Sequence, residues 1–526
     1  MKEKILSSLL AVLACSTMQA QTVVVSSMPR LVVGITVDQL RSDYLKAFAA
    51  LYNDKGFKRM WKEGRVYSNA SYDFNDVDAS SALASIYSGT TPSRNGIVAS
   101  QWLDRSILRN VTCVDDRNFI GYYTDENSSP KNLLVSTITD QLKVATQGQA
   151  IVYAIAPDRE EAILSAGHAA DGAFWLNNET GKWCGTTYYG KFPRWMTVYN
   201  DNNSTDTRIS EMKWEPYFHE QIYTNPSNES FFHYNFTDAR KYRRLKQTPC
   251  INSEVNRTVR ACLYGTSLGS DQVTDFLSVT YYAGSYQGES GKRSFLELQD
   301  SYARLDSDIG SLLDMIDKRV GLENTLIFLT STGYAEEHCV DDSEYRIPTG
   351  DFYMHRATAL LNMYLMALYG EGQYIEATDG LHIYFDRKLL ETKHLRVKDI
   401  LDRSAEFLAE LSGVQNVYTS YDLLRGGWHP ELSRTCNSFH PHRSGDIIIE
   451  VNAGWKLLDA SDRRLNMVHH ADINFPLIFF GAGIEPKLIN TPVSTNCISP
   501  TLALLMRIRA PNACTEAPLT DLYKTW

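Results

Sequence analysis

The chain of 526 residues has little cysteine, no surplus of positive charge and, beyond its first 20 residues, no apolar run long enough to cross a bilayer. Each shortage excludes something. A membrane-spanning helix needs about 20 predominantly apolar residues, and only the short stretch Ile5 to Ala14 has that character. Lys and Arg number 52 against 62 Asp and Glu, a formal net charge of −10. A chain of that sign is a poor partner for nucleic acid or an anionic membrane, where affinity rests on clustered Lys and Arg. The nine cysteines show no CxxC or CxxH spacing, so no cysteine metal site is indicated. Internal repeats and low-complexity tracts are absent as well.

What is present begins with a targeting segment. Lys2 and Lys4 precede the apolar stretch, and Met18-Gln19-Ala20 before Gln21 suits signal cleavage. Residues 1–20 therefore read as a signal peptide and 21–526 as a single exported domain, periplasmic or secreted. Val12-Leu13-Ala14-Cys15 also resembles a lipobox, in which Cys15 would carry a lipid anchor. Residues 1–20 hold two lysines and one glutamate, so the mature net charge is −11. Eight cysteines remain, and export permits disulfides. Cys250 with Cys262 and Cys497 with Cys514 are the nearest pairs along the chain, but spacing alone does not give connectivity.

With 43% hydrophobic residues the chain can bury a large core. Apolar, β-branched runs of strand length recur at 31–37, 150–156, 276–282, 325–330, 446–451 and 476–480. Continuous rather than alternating runs predict strands buried on both faces of a parallel or mixed sheet. Phe295, Leu298, Tyr302, Leu305, Ile309, Leu312 and Ile316 have the three- and four-residue spacing of an amphipathic helix. Alternating strands and helices predict an α/β sandwich, a mostly parallel central sheet flanked by helices. Residues 176–270 break the rhythm and read as an inserted cap over the carboxyl edge of the sheet. A second insertion, 378–440, has its own strand (381–385) and helix (397–411) signals.

The motifs that carry chemistry start with LVVGITVD (31–38), a buried strand ending in Asp38, and continue with DASSALASIYSGTTPSRNGI (78–97). With VDQLRSDYL (37–45), AILSAGHAADGAFW (162–175), YARLDSDI (302–309), IFLTS (327–331), RSGDIIIEVNAGW (443–455) and FPLIFFGAGI (475–484), they span nearly the whole mature chain. On these segments the chain resembles the alkaline phosphatase superfamily, in its type I phosphodiesterase/nucleotide pyrophosphatase-like branch. It is most similar in pattern to the exported, phosphate-irrepressible, Thr-nucleophile alkaline phosphatases of Gram-negative bacteria. That resemblance implies the family fold and a zinc-dependent phosphomonoesterase or phosphodiesterase.

Residue by residue, it also implies that the site has been emptied. Asp38 matches the family's first zinc-ligand Asp. The nucleophilic Thr falls on Ala79, which has no oxygen. The phosphate-binding Asn falls on Ser100, and the phosphate-clamping Lys and Arg on Asp158 and Glu160. The remaining metal ligands fall on Ser285, Glu289, Thr332, Gly333 and Asn474, so one of six is retained. A catalytic zinc needs about three His or carboxylate donors. Two cations replaced by two carboxylates also change the local charge by about −4 units, which repels a phosphate dianion. The expected consequence is a pseudoenzyme with no resident cofactor, acting as a binding or scaffold protein. Its partner would be a protein or small molecule held at the cleft and its aromatic cap (Trp175, Trp183, Tyr188, Tyr189, Trp195).

The alternative is a metal-dependent hydrolase with a rebuilt site. Ser80 and Ser81 adjoin Ala79, but one residue turns a helix by about 100°, so they read as solvated helix-start serines. His338 with Asp341 and Asp342, and His469-His470 with Asp472, are off register with the family's ligands. Asp38 alone reads as a carboxylate capping the next helix, His440-Pro441-His442 as an exposed loop, and His168 as a structural contact near the cleft mouth.

Overall fold

The strand Leu31–Asp38 is buried at every residue because it lies at the centre of an 11-stranded sheet. A computed structural model describes residues 28–225, 230–286, 294–334, 349–426, 430–458, 464–467 and 473–522. The neighbours of the central strand are Asp275–Tyr282 and Thr325–Ser331, both parallel to it. Asp38 lies in register with Tyr282, and Val37 with Ser331. On one side follow Val152–Ala156 and Gly172–Leu176, also parallel. On the other, Phe475–Gly481 runs antiparallel to both Thr325–Ser331 and Arg65–Ser71. The sheet is thus mixed, with a parallel centre.

Alternate residues of the central strand enter two different cores. Leu31, Val33, Ile35 and Val37 pack with the helices Cys250–Gly265 and Phe295–Arg319. Val32 lies with the helices Ala79–Ser88, Arg159–Ala166 and Ile498–Met506 on the opposite face. Helices on both faces explain why the strands read as continuous apolar runs. Gly34 sits mid-strand because a Cβ there would lie 2.7 Å from both the Tyr87 hydroxyl and the Phe328 ring. Tyr87 uses that space to bond Ser278 Oγ at 2.6 Å, seating the Ala79 helix on the sheet.

The structure corrects several expectations. Segment 176–270 is not set apart from the sheet: Trp183–Thr186 is a sheet strand antiparallel to Gly172–Leu176. Ile251, Val255, Val259, Cys262 and Leu263 belong to the main core. Trp175 and Trp183 are buried, Trp195 packs on Phe174 at 5.2 Å, and the Tyr189 hydroxyl donates to Gly167 O at 2.7 Å. These aromatics are spent on packing rather than offered to a ligand. The run 446–451 leaves the main sheet altogether. Ile447–Val451 joins Ile375–Asp379, His382–Phe385 and Val414–Thr419 in a four-stranded antiparallel sheet. With the helices Met354–Tyr369 and Val397–Ala409 it encloses its own core, from Phe352 to Leu457, so the second unit is wider than 378–440. Cys250 and Cys262 lie on one helix. Twelve residues at 1.5 Å rise separate them by about 18 Å, too far for a disulfide. Cys497 and Cys514 are also free thiols, and Cys339 lies outside the described residues.

One detail of the centre gives a stability prediction. Thr280 and Thr330 flank Thr36 in register, are fully buried, and their hydroxyls have no hydrogen-bond partner among the described residues. A buried hydroxyl without a partner carries its desolvation cost uncompensated. Thr330→Val, which keeps the shape, should leave stability unchanged or raise it by about 1 kcal/mol. A lowered urea midpoint would show that a bound water satisfies the hydroxyl.

Candidate functional site

The carboxyl ends of the three central strands bring Asp38, Tyr282 and Ser331 to one edge, where ligands gather in open α/β sheets. Asp38 is 7% exposed. Its Oδ1 accepts from the Thr332 hydroxyl at 2.8 Å, and its Oδ2 from the Tyr334 hydroxyl at 3.3 Å. The same Thr332 oxygen accepts from Gln39 N at 3.0 Å. Burial pushes the Asp38 carboxyl up to about 7, against the pull of the bonds from Thr332, Tyr334 and Gln39, and the charge of Asp158 adds to the rise. Asp38 does not cap the next helix, Ser42–Ala47, which has no side-chain cap. Ser42 N donates instead to Asn474 O at 2.9 Å, so the residue at the last ligand position contributes its backbone.

Ala79 is the first residue of its helix, and Asp78 is the N-cap. Asp78 Oδ1 accepts from Ser81 N at 2.8 Å and Ser81 Oγ at 2.8 Å. Asp78 Oδ2 accepts from Ser100 N at 2.6 Å and Ser100 Oγ at 2.7 Å, and Ser80 Oγ donates to Ser100 Oγ at 3.0 Å. Ser80 and Ser81 are therefore buried members of a capping network, not solvated serines. A capping box fixes both partners in orientation, which keeps Ser81 from serving as a displaced nucleophile.

The reversed clamp also differs from expectation. Lys246 Nζ lies 2.9 Å from Asp158 Oδ1. Arg159 places Nε at 3.1 Å and Nη2 at 2.8 Å from Glu160 Oε1, and also bonds Thr112 Oγ1 at 2.7 Å. Each carboxylate has a cation in contact, so the two cations offset about half of the local change of −4 units. Glu160 is the more buried of the two, and a carboxylate taken out of water needs a counter-charge, whereas the Asp158 side chain stays half-exposed.

Glu161, next along the helix, escaped the sequence reading. It is 5% exposed, and its Oε2 has no hydrogen-bond partner among the described residues. Burial first, then the charges of Asp158 and Asp38, hold its carboxyl well above the usual range, against the pull of Lys246. Two successive acids at a helix start were the available signal for it. Lys246 had none, being 88 residues from its partner.

Ser285 is half-buried beyond the strand Asp275–Tyr282. Gly333 has φ +71°, and a Cβ there would meet the Tyr72 ring at 2.5 Å and Phe475 at 2.7 Å. The wall leaves no room for a ligating side chain at that position. Glu289, His338, Asp341, Asp342, His469, His470 and Asp472 lie outside the described residues. Among the described residues, no three His, Cys, Asp or Glu are gathered so as to hold a metal. The Asp38 oxygens are taken by hydroxyls, and Ala79, Thr332, Gly333 and Asn474 offer no strong donor. The described donor set does not fit zinc.

His168 is a tether. Its Nδ1 lies 2.9 Å from Asp140 Oδ2 and its Nε2 2.9 Å from Leu133 O. Both ring nitrogens face acceptors, an arrangement that suits the imidazolium. Burial lowers its pKa, but the Asp140 bond and charge outweigh this and the net direction is upward. His440 is buried rather than exposed, and burial pushes its ring down to about 4.

Comparison with known proteins gives the family of the fold. The chain matches the type I phosphodiesterase / nucleotide pyrophosphatase family over residues 32–472. It belongs to that family, within the alkaline phosphatase superfamily. It is 31% identical to alkaline phosphatase PafA of Elizabethkingia meningoseptica over 94% of each chain. It is 28% identical to alkaline phosphatase PhoV of Synechococcus elongatus over the full length of both. The crystal structure of wild-type PafA superposes with a TM-score of 0.82 at 29% identity, covering 94% of this chain and 99% of that one. Among the described residues, no helix is long and apolar enough to cross a membrane.

Proposed function

We propose that this chain is an exported member of the family that has given up phosphoester hydrolysis and uses the fold as a binding or scaffold protein. The observation that carries the reading is the start of the Ala79 helix. The position of the nucleophile has no oxygen, and the hydroxyls beside it are consumed by the Asp78 cap. A hydroxyl nucleophile needs a base or a metal to activate it, and the donor set at the strand ends supplies neither among the described residues. The closed pairs Asp158–Lys246 and Glu160–Arg159 also leave neither cation in place of a phosphate clamp. Export rests on Lys2, Lys4 and the apolar stretch before Gln21, and N-terminal sequencing of the secreted chain should begin at or near Gln21.

Purified protein is expected to hydrolyse neither nitrophenyl phosphate nor bis-nitrophenyl phosphate above a mock preparation, with or without added zinc. Ala79→Thr should stay equally inactive, because the added hydroxyl retains its ordinary high pKa. Enzyme-like turnover by wild type, together with stoichiometric zinc by elemental analysis, would overturn the reading.

A further inference from the structure

Three carboxyl groups come into electrostatic range at the carboxyl edge of the sheet: Asp38, Asp158 and Glu161. Asp38 and Glu161 are more than nine-tenths buried. A buried carboxyl group keeps its proton or takes a cation beside it. The described residues do not form a metal site there, and the structure supplies a different cation. Lys246, the last residue of the helix Lys241–Lys246, is 7% exposed and directs its ammonium onto Asp158 Oδ1 at 2.9 Å. Its charge also acts on Glu161, whose Oε2 has no hydrogen-bond partner among the described residues. A lysine ammonium has three donors. Its reach into this edge comes from a segment distant in sequence.

From this we infer that the emptied phosphoester site has become a primary-ammonium site, with the side chain of Lys246 as its resident occupant. The recognition elements are the Asp158 carboxylate, which makes the direct bond, and the orphaned Glu161 carboxyl beside it. The ligand class is an unbranched alkylammonium, because a slender chain with a small, strongly hydrated head is what Lys246 itself presents. Deleting the side chain should leave a channel of its own shape and an uncompensated Asp158 charge, and a free amine can fill both. The site's being emptied rests on the proposed loss of hydrolysis, while the seating of an ammonium is read from thermal stability and not from activity.

The test is chemical rescue, read as thermal stability. Lys246→Ala should lower Tm by several degrees, since it removes a buried ammonium that offsets the half-exposed Asp158 and the buried Glu161. Ethylammonium or propylammonium, on the order of 50 mM, should recover at least half of the loss. Tetramethylammonium and sodium should not, and wild type should not respond. Lys246→Met, which fills the channel without charge, should be destabilised and insensitive to all four cations. If Lys246→Ala is recovered only as insoluble protein, refolding with and without propylammonium becomes the readout, and amine-dependent recovery is expected. Equal Tm for wild type and Lys246→Ala, or equal responses to propylammonium and sodium, would overturn the assignment, as would refolding indifferent to the amine.

Discussion

Replacing Asp38 by Asn should stabilise the protein by about 2–4 kcal/mol at pH 8 and change little at pH 4. Burial raises this carboxyl from an ordinary 3.8 to about 7, despite the bonds from Thr332, Tyr334 and Gln39. The folded chain therefore holds the Asp38 proton more tightly than the unfolded chain. The stability this contributes is fully present below about pH 4 and is lost as pH rises through 7. Asparagine is neutral throughout, so the difference between variant and wild type should open across that window. Urea unfolding at pH 4, 6 and 8 measures it. The direction also separates two states of the site: if Asp38 held a metal, losing its charge would destabilise the protein at pH 8. A variant less stable than wild type at pH 8 would therefore count against the pseudoenzyme as well as against the raised pKa.

The second large effect lies in the long helix Phe295–Arg319. Asp300 Oδ2 accepts from Trp214 Nε1 at 2.7 Å and Arg304 Nε at 2.7 Å. Its Oδ1 accepts from Tyr217 N at 2.7 Å and the Tyr223 hydroxyl at 2.6 Å. The side chain is fully buried. One carboxylate thus pins the segment from Trp214 to Tyr223 against the main core. Asp300→Ala leaves several buried donors without an acceptor, and each costs about 1–3 kcal/mol, more for the charged Arg304. Allowing for relaxation toward water, the loss should be about 4 kcal/mol or greater. Limited proteolysis should find new cleavage between residues 213 and 223 before global unfolding. A loss below about 1 kcal/mol, with that segment still protected, would show that apolar packing of Trp214 and Tyr223 holds it without the carboxylate.

Much of the frame was legible along the chain. The apolar runs at 31–37, 276–282 and 325–330 form the three central strands, and the spacing from Leu298 to Ile316 is the buried face of one helix. Helix Cys250–Gly265 was missed, although Ile251, Val255, Val259 and Cys262 carry the same period, because the Asn- and Tyr-rich residues before it masked the change. The placement of 446–451 was not legible at all. A run of isoleucines fits any sheet with two covered faces, and only the partners His382–Phe385 and Val414–Thr419 decide which sheet it joins.

At the site the division is sharper. The sequence by itself determined that position 79 has no nucleophilic oxygen and position 333 no side chain, because composition at one residue needs no fold to be read. It also determined that Asp158 and Glu160 are acids. Only the tertiary structure decided that Lys246 and Arg159 neutralise them, that Thr332 and Tyr334 close over Asp38, and that the serines beside Ala79 serve Asp78. Electrostatic and hydrogen-bond partnerships depend on distance in space, falling off over a few ångströms, and residues 88 or 294 positions apart acquire such distances only when the strands and helices between them have packed.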